Sequence, residues 1–234
     1  MKKKLAVVLV SGGMDSCVAA ALAAQKYNLA FLHLNYGQRT QQRELRSFHE
    51  LAAFYQVKQK LVVDEPHFAL IGGSSLTDRQ IPVSVADLQN TQVPSSYVPF
   101  RNANLLAIAV SWAETIGAVR IFIGAVEDDS SGYPDCREQF FKAFNRVIKL
   151  GSRDSGDIRI ITPLLHYSKK QIVETAGVLK APLHLTWSCY QDEEEACGVC
   201  DSCALRLRGF QLAGVEDTIK YKAKPIYHLS KPLI

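Results

Sequence analysis

Two short stretches of this chain carry residue types that do chemistry at a meaningful spacing. The first is Ser11-Gly12-Gly13-Met14-Asp15-Ser16. Glycines between an apolar run and an alanine-rich segment let an anion approach the main chain. A helix that starts there adds free backbone N–H groups and the positive end of its dipole. Ser11 and Ser16 supply hydroxyl donors, and together these make a cradle for a pyrophosphate. The second stretch is Cys189-x7-Cys197-x2-Cys200-x2-Cys203. Four thiolates at this spacing match a closed tetrahedral zinc site, which is structural because no position is left for substrate. Buried free cysteines, a redox pair and an iron–sulfur cluster are the alternatives. The ferredoxin run spaces its last cysteine differently and follows it with proline, where this chain has Ala204.

The elements that must position these groups follow from hydrophobic patterning. Leu5–Val10 is a continuous apolar run, as expected of a strand buried on both faces and not of a cleaved leader. Cys17–Ala24 reads as helix, Leu29–Asn35 as strand, Gln41–Tyr55 as an amphipathic helix and Val57–Val63 as strand. Asp64 to Phe100 is rich in Gly, Ser, Pro and Asn and reads as a functional loop or lid. Asn102–Ile116 is helical, Val119–Val126 a strand, and Phe140, Phe141, Phe144, Val147 and Ile148 mark one helix face. Arg159–Thr162 is a short strand. Ser168 and Gln171 form a capping box that opens a helix stopping near Gly177. Strand–helix alternation predicts a Rossmann-like α/β fold with a doubly wound, mostly parallel sheet, and ligands at the carboxyl ends of the strands. Residues 1–185 are expected to form the α/β domain that carries the anion-binding loop, and residues 186–234 a zinc-binding segment with a tail packed on it.

Composition narrows the function classes. The chain has 234 residues, 47% hydrophobic and 21% charged, which excludes a disordered or collagen-like protein. No apolar run approaches the roughly 20 residues of a membrane span. Net charge is +4, too mild to demand a nucleic-acid partner. The cysteine segment itself is acidic (Asp192, Glu193, Glu194, Glu195, Asp201), unlike a nucleic-acid-binding zinc ribbon. Clustered cysteines point to a reducing, cytoplasmic compartment. The loop has no Gly-x-x-x-x-Gly-Lys and no Gly-x-Gly-x-x-Gly, so neither a Walker loop nor a dinucleotide fingerprint is present.

Ser-Gly-Gly-x-Asp-Ser after an N-terminal strand resembles the PP-loop ATP pyrophosphatases. The resemblance implies that ATP is bound by its pyrophosphate and that AMP is transferred to a substrate oxygen. It also implies that Ser11, Gly12, Gly13, Asp15 and Ser16 hold the triphosphate, with Mg²⁺ at Asp15; a charge answering the helix N-terminus is the alternative for Asp15. Further segments occur in order: Asn35-Tyr-Gly-Gln-Arg39, Ser74-Ser-Leu-Thr77 with Ile81-Pro-Val83, Val98-Pro-Phe-Arg-Asn102, Ser131-Gly-Tyr-Pro-Asp-Cys-Arg137 and the cysteine pattern closing in Arg206 and Gly209-Phe210. From about Leu5 to Phe210 they resemble the 7-cyano-7-deazaguanine synthase family of queuosine precursor biosynthesis.

That family's reaction adenylates 7-carboxy-7-deazaguanine, displaces AMP with ammonia to give the amide, then adenylates the amide oxygen to give the nitrile. The chain length leaves no room for a glutaminase domain, so free ammonium is the expected nitrogen source. By the resemblance Arg101 stabilises charge on phosphate or carboxylate; a surface ion pair is the alternative. Tyr133 stacks on the deazaguanine, and Asp135 accepts its ring N–H and amino protons. A well-packed turn is the alternative for the last two. Cys17 and Cys136 read as packed neighbours of the site, and His33 and His49 as structural. The resemblance also implies a homodimer. Two positions depart from the family pattern: Thr40 stands where it usually has His, and Phe100 where it usually has Gly. The competing readings are a PP-loop tRNA-modifying enzyme (thiolation or lysidine formation), favoured only by the basic residues Arg206, Arg208, Lys220, Lys222, Lys224 and Lys231, and a non-enzymatic zinc-ribbon module.

Overall fold

Val7 and Leu9 face one way and Ala6 and Val8 the other, so the first strand must be covered on both sides. The computed structural model, which describes residues 3–90, 92–127, 132–153 and 158–228, meets that demand. Five parallel strands lie in the order β3-β2-β1-β4-β5. They are β1 (Leu5–Leu9), β2 (Asn28–Asn35), β3 (Gln59–Asp64), β4 (Arg120–Phe122) and β5 (Arg159–Ile161). Helices α1 (Met14–Lys26), α2 (Gln41–Phe54), the short α3 (His67–Ile71), α4 (Arg101–Ile116), α5 (Glu138–Gly151), α6 (Lys169–Leu179) and α7 (Asp201–Ala213) complete the described elements, with two single 3₁₀ turns at Pro134–Cys136 and Leu183–Leu185.

One face of β1 packs on Leu106, Ala109 and Ala113 of α4 and Phe141 of α5. The other packs on Cys17 and Ala20 of α1 and Phe48 and Leu51 of α2. The chain winds outward from β1 through β2 to β3, then returns to place β4 on the opposite side of β1. This reversal opens a crevice at the carboxyl ends of β1 and β4, where open α/β sheets bind ligands.

Three expectations change in the structure. The strand expected at Val119–Val126 pairs only over Arg120–Phe122. Ile123 N–H still donates to the Ile161 carbonyl (3.2 Å), and the segment to Val126 then floors the crevice, with Gly124 so close to α1 that a Cβ there would come within 2.8 Å of the backbone of Asp15 and Ser16. Helix α6 runs past Gly177 to Leu179, and the residue that ends it in the left-handed conformation is Lys180. The capping box at Ser168 and Gln171 forms as expected. The cysteine segment, for which no helix was expected, ends in α7. Its sequence shows no amphipathic stripe because both sides are covered: Phe210 packs with Ile172 of α6, and Arg206 is buried beneath the tail.

The long stretch from Asp64 to Phe100 is anchored to the body. Arg39 donates Nε to the Ser75 carbonyl (2.6 Å) and Nη2 to the carbonyls of Asp78 (3.0 Å) and Ile81 (2.8 Å). Ser74 and Ser75 are fully buried. Ala86 N–H then donates to the Val199 carbonyl, tying this stretch to the cysteine segment.

Candidate active site

The phosphate loop spans the gap between β1 and α1. Gly12 has φ +90°, and a Cβ there would lie 2.6 Å from the Glu44 carbonyl, so glycine is required both by conformation and by the approach of α2. Gly13 has ordinary extended dihedrals and is the N-cap of α1. No side chain caps that helix end, so its first N–H groups face the crevice unpaired by a cap. Ser16 donates its hydroxyl to the Gly13 carbonyl (2.9 Å), while Ser11 is exposed at the lip. Asp15 pairs through Oδ2 with Lys169 Nζ of α6 at 2.7 Å. Its Oδ1 is buried and has no hydrogen-bond partner among the described residues.

The cavity is about 260 Å³ and is shared by the loop, β4's extension, α4, α6 and the start of α7. Ser11, Gly13, Asp15 and Ser16 line it, as do Arg101 and Tyr133. Gly12 lies behind the lining, buried against α2. Arg101 Nη1 donates to the Tyr36 hydroxyl (2.8 Å) and its guanidinium lies over that ring. The Tyr133 hydroxyl lies 2.9 Å from Ser96 Oγ, which fixes the ring against the wall.

Asp135 does not line the cavity. Its carboxylate accepts from the Asn102 N–H (2.9 Å), and the Asn102 amide donates back to the Asp135 carbonyl (3.0 Å). It is 3% exposed and holds the first turn of α4, which carries Arg101. Ser131, the first residue of that motif, lies outside the described residues, as does Lys231. Cys136 is packed beside Asn102, and Cys17 is buried under α1, its thiol pushed up to about 12 by burial. His33 is buried with Nδ1 at 2.8 Å from the Val10 carbonyl, and burial lowers its pKa, so it is a neutral structural residue.

Several cavity residues were not singled out from the sequence. Lys169 appeared only as part of a capping box. Glu44 sits on the amphipathic helix α2, with its carboxylate accepting from Thr40 Oγ1 (2.9 Å) and Gln38 Nε2 (3.1 Å). Burial pushes its pKa up to about 7 against the pull of both hydrogen bonds. Trp187, Tyr190 and Asp201 come from the cysteine segment. Trp187 N–H donates to the Gly12 carbonyl (2.9 Å), so that segment is stitched directly to the phosphate loop.

The thiols of Cys189, Cys197, Cys200 and Cys203 all lie within 4.8 Å of one another and could hold a metal ion. Backbone N–H groups of Gln191 and Cys197 point at the Cys189 sulfur, and those of Val199 and Cys200 at the Cys197 sulfur. Gly198 takes φ +78°, and a Cβ there would overlap the Ala223 carbonyl. Beneath the cluster Arg206 is forked onto Asp217 (2.6 and 2.9 Å) and donates to Thr186 Oγ1 (2.6 Å). That buried pair clamps α7 and the tail to the segment entering the site.

A parallel sheet that reverses its winding beside a Ser-Gly-Gly-x-Asp-Ser turn and a bare helix N-terminus defines an anion-binding α/β protein of the PP-loop class. The family model described as queuosine biosynthesis protein QueC matches residues 5–214. The chain is 56% identical over 223 residues to a 7-cyano-7-deazaguanine synthase of Chlorobium chlorochromatii (strain CaD3), covering 95% of this chain and 98% of that one. It is 57% identical over 223 residues to one of the same name from Chlorobium limicola (strain DSM 245 / NBRC 103803 / 6330), covering 95% and 99%. This chain belongs to the QueC family. Among solved structures, NMN synthetase from Francisella tularensis aligns with a TM-score of 0.46 and 16% identity, over 93% of this chain and 79% of that chain. No helix among the described residues is long and apolar enough to cross a membrane.

Proposed function

We propose that this chain converts 7-carboxy-7-deazaguanine, ammonium and ATP to 7-cyano-7-deazaguanine through an adenylated carboxylate and then an adenylated amide. The observation that carries the reading is the meeting, in one cavity, of a bare helix N-terminus, the unpartnered Asp15 Oδ1, and Arg101. A carboxylate oxygen is a poor leaving group, and AMP is a good one. The chemistry therefore needs a triphosphate held at one end of the cavity and a carboxylate at the other. Ser11, Gly13 and Ser16 hold the phosphates through the loop and the α1 N-terminus, and Gly12, behind the lining, sets the turn that presents them. Asp15 Oδ1 is a hard oxygen donor left free beside them, which fits Mg²⁺; when bound, that ion would neutralise phosphate charge. Lys169 holds Asp15 in place. Arg101 is a cation at the reacting end, where charge develops on the substrate carboxyl oxygen. Tyr133 offers a ring face for the deazaguanine. Asp135 serves this site by positioning α4 and Arg101 rather than by touching substrate.

The four thiols fit zinc. Tetrahedral Zn–S bonds of about 2.3 Å place sulfurs about 3.8 Å apart, and Cys197 and Cys203 lie at 3.9 Å. Cys189, Cys197, Cys200 and Cys203 would fill every position, so the ion would be structural. The division at residue 186 then has a functional meaning: residues 186–228 are the clasp that closes the ATP domain's crevice. The exposed apolar residues Phe100, Val147 and Leu150 on the α4–α5 side support a homodimer, and clustered thiols support a cytoplasmic setting.

The test is incubation with ATP, ammonium and 7-carboxy-7-deazaguanine, with AMP and nitrile read by mass. Nitrile formation is expected without RNA. AMP release only in the presence of tRNA would refute the reading. Asp15→Ala is expected to abolish turnover while the fold and bound metal persist.

A further inference from the structure

The chemistry proposed above makes a demand that the phosphate loop and Arg101 do not meet. Every N–H proton of the ammonium ion is gone in the nitrile. Ammonium itself has no lone pair and cannot attack a carbon. The site therefore needs a proton acceptor facing the nitrogen.

The cavity walls offer three carboxylates among the described residues: Asp15, Glu44 and Asp201. Asp15 is paired with Lys169 at the phosphate end. Asp201 opens α7, where its charge answers the helix N-terminus. Among the described residues Glu44 has no cationic partner within ion-pairing distance. Gln38 and Thr40 orient it, one on each carboxylate oxygen, and Gln38 is itself fixed by the Tyr36 N–H at 2.8 Å.

On this basis, and resting on the function proposed above, we propose that Glu44 binds ammonium and is the catalytic base that deprotonates its nitrogen in both halves of the reaction. Ammonium gives a proton to the Glu44 carboxylate. The freed lone pair attacks the adenylated carboxyl carbon, the C–N bond forms, and the C–O bond to AMP breaks with its electron pair leaving on AMP. Glu44 releases that proton to solvent and, ionised again, takes a second N–H proton, which leaves the neutral amide. After ATP adenylates the amide oxygen, Glu44 takes the remaining two N–H protons in turn, passing the first to solvent before it accepts the second, as the C–O bond to AMP breaks with its electron pair leaving on AMP and C≡N forms.

The surroundings of Glu44 fit a group that changes protonation state. Thr40 has one hydroxyl proton and two acceptors within reach, Glu44 Oε1 (2.9 Å) and the Cys189 carbonyl (3.2 Å). It can donate to the ionised carboxylate, or turn to Cys189 and accept from the protonated one. Thr40 is therefore a positioning residue, and the acid–base role falls on its neighbour. Burial, with Glu193 of the cysteine segment adding to it, raises the Glu44 pKa; Arg101 of α4 opposes the rise. The outcome, about 7, leaves the base part-ionised at neutral pH, where proton transfer is efficient.

Glu44→Gln separates the steps. Carboxylate-dependent exchange of labelled pyrophosphate into ATP should stay within about threefold of wild type, because adenylation needs no base at this position. Amide formation from ammonium should fall about 100-fold or more. Hydroxylamine, neutral at this pH, should be captured as the hydroxamate at the wild-type rate. Wild-type amide formation in Glu44→Gln overturns the inference, as does loss of exchange in a folded variant or failure of hydroxylamine capture. Should Glu44→Gln not fold, Thr40→Val decides. It removes a donor to the ionised carboxylate, so the acidic limb of the ammonium-dependent rate must move to higher pH, and an unmoved limb overturns the inference. Wild-type protein that shows neither exchange nor AMP release overturns the proposed function and this inference together. Wild-type turnover with an active Glu44→Gln overturns this inference alone.

Discussion

Lys169 Nζ lies 2.7 Å from Asp15 Oδ2, joining the first turn of α6 to the first turn of α1. The pair orients a carboxylate at the edge of the phosphate site and leaves its other oxygen free. Lys169→Met should raise the KM for ATP at least about tenfold, since a half-buried charge pair that loses one partner misplaces the other. ATP titrations under single-turnover conditions would check this, and unchanged ATP dependence would remove Lys169 from phosphate binding.

Phe100 sits at φ +57° as the N-cap of α4, a conformation that costs a side chain with a Cβ about 1–2 kcal/mol. It is 62% exposed and contacts Phe140 edge-on. Phe100→Ala should destabilise, because it keeps the strain and loses the ring contact. Phe100→Gly should be more stable than Phe100→Ala by about 1 kcal/mol. Urea midpoints of the two variants measure the difference.

Cys203→Ala removes one thiol from the cluster at the first turn of α7. Metal analysis of the wild type should give about one zinc per chain, and of the variant much less. The clasp that delivers Trp187 and Tyr190 to the crevice loses its pin, so Tm should fall by about 10 °C. Trp187 is 4% exposed, and its emission should shift to the red. Iron in the wild type, with visible absorbance, would contradict the zinc assignment.

Glu44 also couples stability to pH. Its folded pKa is raised from 4.5 to about 7 by burial, so the folded state holds the proton more tightly than the unfolded chain. The contribution is fully present below 4.5 and is lost as pH rises through about 7. Glu44→Gln, which is always neutral, should therefore match wild-type Tm near about pH 4.5 and exceed it at about pH 8.5. Calorimetry at both values checks the sign, and a gap that widens toward acid would contradict it.

The parallel α/β architecture was legible because buried strands and amphipathic helices leave periodicities along the chain. The limits of that reading are physical too. Gly124–Val126 looks like strand by composition, but this segment lies beyond the paired strand, against α1, where it lines the crevice. Helix α7 leaves no stripe because a buried Arg206–Asp217 pair covers one side and α6 the other.

The sequence by itself determined what local order can determine: the glycine loop between the first strand and first helix, the four-thiol set, and the strand–helix alternation of a parallel sheet. Each rests on residue type at fixed spacing. Tertiary structure decided which side chains share the cavity. Tyr133 and Asp135 stand two apart in one motif, yet the first lines the crevice and the second is turned under α4. Lys169, Trp187 and Glu44 reach the site from three separate elements. Side-chain direction in a turn and contacts between distant segments depend on what packs against them, and neither is written in spacing along the chain.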